Sequence, residues 1–325
     1  MKIKAFPLEE KITLPKRGSW PATVHVFDSY SVNAIRAALC AERPLLIRGE
    51  PGTGKSQLAR AAAEHLERLF VSEVVHSRSE SQELQYHFDA VGRLGEAQAL
   101  GHICRQEEEV RKKLAPINYL SPGPLWWVFD WEKADTRYKQ CPHHYSRPEP
   151  PQGWTKEKGT VLLIDEIDKA DADLPNGLLE TLGNGSFPVP YLQEPVGMSN
   201  TTVPLVIITT NEERELPPAF VRRCLVLHLR LPKEEKEFCR FLMKRGEHHF
   251  GTGCSEEVMR ETAKLLWADR AEARRQGGTP PGQAEYLDML RALSRLALGD
   301  FKEQKNLLAT VAEYALKKYV DLDED

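Results

Sequence analysis

Apolar and polar positions follow two different patterns along this chain. Up to residue 231, short and continuous apolar runs alternate with longer amphipathic segments. Continuous apolar runs are typical of strands buried on both faces of a parallel sheet, and the segments between them predict covering helices. The first 27 residues look extended, and a helix is predicted over 31–42. The predicted strands lie near residues 44–48, 71–76, 160–164, 203–209 and 225–231.

From residue 232 onward the strand-like runs disappear. Helical spacing of the apolar positions predicts four further helices. The boundary between the two patterns falls at Leu231 and Pro232, which we predict to be a hinge. We therefore expect an α/β core over residues 1–231 and an all-helical lid domain over 232–325. The predicted lid helices cover residues 233–250, 255–275, 283–298 and 301–319.

A glycine-rich loop lies between the strand at 44–48 and the helical run that follows it. It reads GEPGTGKS, which matches the phosphate-binding pattern G-x-x-x-x-G-K-[ST] in the required strand-loop-helix context. Glycines let successive backbone N–H groups point at the β and γ phosphates, and the helix start adds its positive end. Lys55 supplies a full charge, and Ser56 offers its hydroxyl to Mg²⁺. The pattern predicts a P-loop NTPase core whose triphosphate-binding residues are Gly49, Glu50, Pro51, Gly52, Thr53, Gly54, Lys55 and Ser56.

Two acids follow the apolar strand at 160–164. In a parallel sheet, ligands bind at the carboxyl ends of the strands, so Asp165 is expected to converge with Lys55. Asp165 would hold magnesium, usually through water. Glu166 would polarise the water that attacks the γ phosphate. The alternative interpretation makes both acids an exposed strand end.

Polar residues also follow the predicted strand at 203–209 and precede the one at 225–231. Asn211 is expected to hydrogen-bond the attacking water or the γ phosphate, although an asparagine in this position is also good helix-capping chemistry. Arg222 and Arg223 suit a charge offered to the nucleotide of a neighbouring subunit, because a guanidinium stabilises charge on a transferring phosphoryl group. For one of the two arginines, a surface salt bridge is the alternative.

Three segments resemble the motifs of the AAA+ ATPases, and their residues are similar to those of the MoxR branch. In chain order the segments read GEPGTGKS, LLIDEIDKAD and ITTNEERELPPAFVRRC. The resemblance covers roughly residues 25–300. It implies ATP as the triphosphate, a homo-oligomeric ring that is usually a hexamer, and nucleotide bound between subunits. It also implies protein partners with a von Willebrand type A fold. The matching positions are Lys55 and Ser56 in the phosphate loop, Asp165 and Glu166 in the second motif, Asn211 as sensor, and Arg223 as finger with Arg222 beside it.

The lid departs from the family pattern. Relatives usually carry an arginine where a lid helix opens, but residues 278–285 read GTPPGQAE, and Arg291 lies about two helical turns farther on. Another segment carries Arg270, Arg274 and Arg275 among acids and alanines. That mixture predicts an ordinary solvated helix face.

A long insertion separates the first two motifs, over residues 95–158. It holds four of the six tryptophans, namely Trp126, Trp127, Trp131 and Trp154. An aromatic loop on a ring-shaped motor could grip a partner chain or stack on bases. Equally, these side chains could pack the insertion onto the core. The sequence leaves both alternatives open.

Composition adds limits on class and location. A net charge of −4 and a pI near 6.2 give no overall attraction for nucleic acid. Six cysteines are scattered without a pairing pattern, which favours reduced thiols and the cytoplasm. The start of the chain lacks an apolar signal core, and no run is long enough for a membrane span. We expect a cytoplasmic protein with no membrane contact.

The predicted core and lid use the whole sequence, with no fused protease, nuclease or von Willebrand-type domain. We therefore expect an ATP-dependent remodelling or chaperone-type ATPase that acts on a separate protein partner. One alternative is a nucleotide-gated assembly scaffold in a defence or signalling system, which seldom turns over and is favoured by the missing lid arginine. Another is a nucleic-acid translocase, which could use GTP and would be stimulated by DNA or RNA.

Overall fold

The chain forms two compact units, neither of which is a continuous stretch. The computed structural model describes residues 4–103, 107–142, 146–199 and 202–316. The first unit, here the sheet unit, comprises Met1–Ala5, Tyr30–Ile47 and Ala59–Leu227. The second, here the helical unit, comprises Phe6–Ser29, Arg48–Leu58 and His228–Asp325. The division into domains at residues 231 and 232 stays a prediction.

Five strands form the parallel sheet, in the spatial order β11-β3-β10-β7-β4. Three antiparallel pairs, β1 with β2, β5 with β6 and β8 with β9, lie outside it. The described strands are β1 (Lys11–Leu14), β2 (Thr23–Val26), β3 (Leu45–Arg48), β4 (Leu69–Val74), β5 (Tyr86–Phe88), β6 (Leu120–Pro122), β7 (Thr160–Asp165), β8 (Ser186–Phe187), β9 (Val196–Gly197), β10 (Leu205–Thr210) and β11 (Leu225–His228).

Helices connect the strands and then make up the end of the described chain. The last four, α10 to α13, follow each other without an intervening strand. The described helices are α1 (Ser29–Ala41), α2 (Lys55–His65), α3 (Ser81–Gln85), α4 (Ala90–Ile103), α5 (Glu107–Lys113), α6 (Pro124–Phe129), α7 (Trp131–Gln140), α8 (Asp173–Asn184), α9 (Pro218–Arg223), α10 (Glu235–Phe250), α11 (Glu256–Arg275), α12 (Gln283–Leu296) and α13 (Phe301–Ala315). No helix among the described residues is both long enough and apolar enough to cross a membrane.

Strand β7 lies inside the sheet, and this position explains why its sequence is uniformly apolar. It pairs in parallel with β10 on one side and β4 on the other, so that Leu162 is opposite both Val206 and Val71. From Thr160 to Ile164 no residue is more than 1% exposed. A strand covered on both faces has no polar alternation to show. The predicted fold class, a parallel α/β core followed by helices, is confirmed.

The insertion packs its tryptophans inward. Trp126 and Trp127 are almost fully buried, and Trp131 is nearly so. The rings of Trp131 and Trp154 meet edge to face with centroids 5.0 Å apart, and the Arg147 guanidinium lies 4.9 Å from the centre of the Trp131 ring. Of the two alternatives for these residues, the structure shows packing onto the core of the sheet unit.

The helical unit has a core of its own, made by the inward stripes of α10 to α13. Phe238, Leu242 and Leu290 are fully buried there. Side-chain caps fix the starts of two helices. The Ser255 hydroxyl accepts from the Val258 N–H at 3.2 Å, and the Asp300 carboxylate accepts from the Glu303 N–H at 3.0 Å.

Two histidines of the helical unit make its stability depend on pH. Burial, aided by the charge of Arg245, lowers the pKa of His25 to about 3 and that of His249 to about 4. Below pH 6.5 the unfolded chain binds protons that the folded chain cannot take up, so stability falls with pH from 6.5 toward 3. Each histidine contributes at most about 1.4 kcal/mol per pH unit.

We expect His25→Phe to make this loss of stability shallower. The Nε2 atom of His25 is buried without a hydrogen-bond partner among the described residues, so an aromatic ring without nitrogen satisfies the site as well. The measurement is the melting temperature from pH 8 to pH 4.5 for both proteins. Equal slopes in wild type and variant below pH 6.5 would contradict the assignment.

Candidate functional site

The glycine-rich loop belongs to the segment Arg48–Leu58 of the helical unit, between β3 and the first turns of α2. Gly52 and Gly54 have φ values of +73° and +91°, in the left-handed region that favours glycine. A Cβ on Gly49 would lie 2.5 Å from the Leu229 carbonyl oxygen, so no side chain fits there. The backbone geometry therefore requires glycine at all three positions.

Lys55 is the first residue of α2 and folds back over the loop. Its side chain is buried, and its Nζ donates to the carbonyl oxygens of Gly49 at 2.7 Å and Glu50 at 3.0 Å. The Thr53 hydroxyl donates to the same Glu50 oxygen at 2.9 Å. Ser56 follows in the first turn of α2. A buried ammonium above a glycine backbone at a helix start is chemistry that fits a polyphosphate.

Helices α11 and α12 contact this loop within the helical unit. The Ala284 N–H donates to the Gly52 carbonyl at 3.1 Å. The Glu50 carboxylate pairs with Arg270 at 2.6 Å and with Arg274 at 3.3 Å. The prediction of a solvated face was wrong for Arg270, whose side chain is only 3% exposed. Arg275 does lie at the surface, paired with Glu272.

The acid pair lies in the sheet unit, at the carboxyl end of β7. The Thr209 hydroxyl donates to the Asp165 carboxylate and accepts from the Glu166 N–H at 2.9 Å. Thr209 is fully buried near the end of the neighbouring strand β10. Sequence reasoning missed this residue. Two threonines at the end of an otherwise aliphatic strand were the signal that could have found it.

Glu166 and Asn211 are brought together at the same edge. Glu166 has φ 58° and ψ 48°, a left-handed conformation that is uncommon outside glycine and asparagine. The Asn211 side-chain amide donates to Glu166 Oε1 at 3.2 Å. None of the described helices begins at Asn211, since α9 starts at Pro218 with Pro217 as its N-cap. The amide therefore orients the glutamate instead of capping a helix.

Asp168 fixes the loop that carries Asn211. Its carboxylate is buried and accepts from the backbone N–H groups of Asn211 at 3.2 Å and Glu213 at 2.9 Å. These bonds hold the chain after β10 against the turn after β7. The geometry of the Glu166 and Asn211 pair therefore rests on a third, buried acid that has a structural part.

Arg222 and Arg223 end helix α9 with exposed side chains. The Arg43 guanidinium donates to both of their carbonyl oxygens, at 3.0 Å for Arg223. Across the described ranges of the chain, neither Arg222 nor Arg223 pairs with a carboxylate, so the salt-bridge alternative finds no support. Arg223 borders an open groove of about 480 Å³ on α8, lined by Asn176, Leu179, Glu180, Gly183 and Asn184.

Comparisons with known proteins give a family and more distant likenesses. The family described as AAA domain (dynein-related subfamily) matches residues 44–224. A Lon protease from Finegoldia magna is 25% identical over 201 residues, which are 60% of this chain and 19% of that protein. This chain thus spans less than a fifth of that relative. A crystal structure of a putative ATPase from Cytophaga hutchinsonii is 16% identical, with a TM-score of 0.39, over 86% of this chain and 79% of that one.

The family match includes every motif described above. It begins just before β3, contains the glycine-rich loop and the acid pair, and ends at Cys224, directly after the two arginines. It covers more than half of the chain, which confirms the resemblance to AAA+ ATPases. This chain belongs to the AAA domain family, in its dynein-related subfamily.

Proposed function

We propose that this chain is an ATPase that hydrolyses ATP in the presence of Mg²⁺. The observation that carries the proposal is the Glu166 carboxylate, held at 3.2 Å by the Asn211 amide directly after a strand that ends in Asp165. A carboxylate with one oxygen fixed keeps the other to orient a water molecule for in-line attack. The residues of the glycine-rich loop hold the triphosphate.

The donor set also fits magnesium. Mg²⁺ prefers oxygen ligands and keeps several of its waters, and the chain offers the Ser56 hydroxyl and the Asp165 carboxylate. The Thr209 hydroxyl orients that carboxylate by donating to one of its oxygens. When bound, the ion would neutralise charge on the β and γ phosphates. ATP is preferred over GTP on the strength of the family alone.

Replacing Lys55 by alanine is expected to weaken binding of Mg²⁺ and ATP about 100-fold, since it removes a buried charge that would bond phosphate oxygens. The measurement is equilibrium titration with a fluorescent ATP analogue. Lys264→Ala is the matched control, because Lys264 is half exposed and pairs only with Glu261 among the described residues. Unchanged binding in Lys55→Ala would contradict the assignment of the loop.

We propose that the chain assembles into a hexameric ring, as in the MoxR branch. The ring would use ATP hydrolysis to remodel a separate protein partner in the cytoplasm. Support for a ring comes from Arg222 and Arg223, which are exposed and without carboxylate partners in the described ranges. A partner with a von Willebrand type A fold is proposed from the family resemblance. Pull-down with such domains in the presence of ATP and of ADP tests it, and nucleotide-independent capture would argue against remodelling.

A nucleotide-gated scaffold is the second candidate. It is favoured by the absence of arginine in residues 278–285 and by the pairing of Arg291 with Asp288 on its own helix. Steady-state phosphate release separates the two, because a scaffold turns over far more slowly than about 1 per second, the low end for ordinary enzymes. Stimulation of turnover by DNA or RNA, with a steep salt dependence, would instead indicate a translocase.

A further inference from the structure

Glu50 places a negative charge inside the loop that is proposed to bind phosphates. A lone carboxylate there would repel a triphosphate, because two like charges a few ångströms apart oppose each other strongly away from bulk water. Two arginines of α11 neutralise it. Arg270 Nη2 lies 2.6 Å from Glu50 Oε2, and Arg274 Nη2 lies 3.3 Å from Glu50 Oε1. The two arginines are one helical turn apart, so they reach the carboxylate together.

Arg270 is built into the core of the helical unit. Its side chain is 3% exposed, and its guanidinium lies 5.4 Å from the centre of the Phe238 ring. A buried guanidinium is costly unless it is paired. Among the described residues, Glu50 is the only carboxylate paired with it, and its Nη1 donates to the Pro281 carbonyl. One side chain thus links the loop, α11 and the turn before α12.

That turn contacts the loop a second time. The Ala284 N–H donates to the Gly52 carbonyl at 3.1 Å. A Cβ on Gly282 would lie only 3.1 Å from the Pro51 carbonyl oxygen, which shows how closely the two backbones approach. Three successive residues of the loop, Glu50 to Gly52, therefore lie against α11 and the turn before α12. Arg270 contacts both the loop, through Glu50, and that turn, through the Pro281 carbonyl oxygen.

We propose that Glu50 and Arg270 form a positioning pair that fixes the phosphate loop on the lid in the conformation that accepts nucleotide, with Arg274 in support. The proposal rests on the proposed nucleotide binding at the loop. Arg270 acts through Glu50 and does not itself touch the nucleotide. Loss of either partner frees the loop and the turn before α12, so that nucleotide must order both when it binds.

The test is a double-mutant cycle on the full chain with Glu50→Gln, Arg270→Gln and both together. The probe is a fluorescent ATP analogue with Mg²⁺, and the readouts are its dissociation constant and kcat at saturating ATP. We expect each single change to weaken binding about tenfold, as for loss of one charged hydrogen bond, and the double change to weaken it no further. For Arg270→Gln, which does not touch the nucleotide, we expect kcat to stay within about twofold, because the loop holds ground state and transition state alike. Arg275→Gln, on the same helix but exposed and paired with Glu272, is expected to bind as wild type.

Three results would overturn the positioning pair: wild-type affinity in Glu50→Gln, an effect of the double variant equal to the product of the singles, or tighter binding in Glu50→Gln. The last would show that Glu50 acts by repelling phosphate. Glu50 is partly exposed, so its variant decides the question even if Arg270→Gln does not fold. A wild-type chain that binds nucleotide but releases no phosphate would refute the proposed ATPase while leaving this binding test intact.

Discussion

Replacing Glu166 by glutamine is expected to lower phosphate release about 1,000-fold while nucleotide affinity stays within about twofold of wild type. The amide keeps the shape of the side chain and the contact with Asn211, but it cannot polarise water as a carboxylate does. Glu166 follows the strand and does not belong to the phosphate loop, so ground-state binding is spared. Steady-state phosphate release and equilibrium titration with a fluorescent ATP analogue measure the two effects.

Glu237→Gln is the matched control for this change, because Glu237 is an exposed acid in the first turn of α10. It should bind and hydrolyse as wild type. If Glu166→Gln releases phosphate at the wild-type rate, Glu166 is not the base, and the motor interpretation fails. If binding is lost as well, the glutamate has a structural part that the geometry does not explain.

Arg223→Ala is expected to reduce turnover about 1,000-fold with nucleotide binding retained, since an arginine supplied to a neighbouring site stabilises charge in the transition state. Arg222→Ala is expected to lower turnover by less than about tenfold, because Arg223 matches the finger position better. The measurement is phosphate release over a range of protein concentrations, because the proposed role of Arg223 requires neighbouring subunits. Arg214→Ala, which removes an exposed pair with Asp171 and a 3.5 Å hydrogen bond to the Ala170 carbonyl oxygen, is the control.

Mixing two inactive proteins tests whether the arginine acts between subunits. Arg223→Ala supplies an intact Glu166, and Glu166→Gln supplies an intact Arg223, so mixed assemblies should contain some complete sites. We expect activity to return in the mixture to a measurable fraction of wild type. A mixture as inactive as its components would place Arg223 outside the shared site.

The sheet and its motifs could be predicted from sequence because buried parallel strands leave a direct signal. Strand β7 has no polar alternation, and Asp165 comes where that run ends. The predicted strand near 71–76 is found at Leu69–Val74, a shift of two residues that the apolar pattern cannot resolve. The pairing of β1 with β2 was not predicted, because the first 27 residues were interpreted only as an extended segment.

The partners of the candidate site were harder to predict because they depend on contacts far apart in the chain. Thr209 reaches the end of β7 only through sheet pairing, which no local pattern reports. Arg270 looked like part of a solvated face, yet it lies on the same helical stripe as the buried Leu266 and Ala273. Because arginine is charged, the sequence pattern did not indicate that this position belongs to the buried stripe. The acid that it pairs with is 220 residues away in the sequence.

We propose that the glycine-rich loop and the acid pair act on one magnesium-bound nucleotide. An experimental structure of the protein with Mg²⁺ and a non-hydrolysable ATP analogue tests this proposal. We expect one triphosphate contacted by the Lys55 ammonium, with Asp165 beside the metal and Glu166 beside the γ phosphate. A triphosphate bound at the loop with Asp165 and Glu166 turned away from it would refute a shared site.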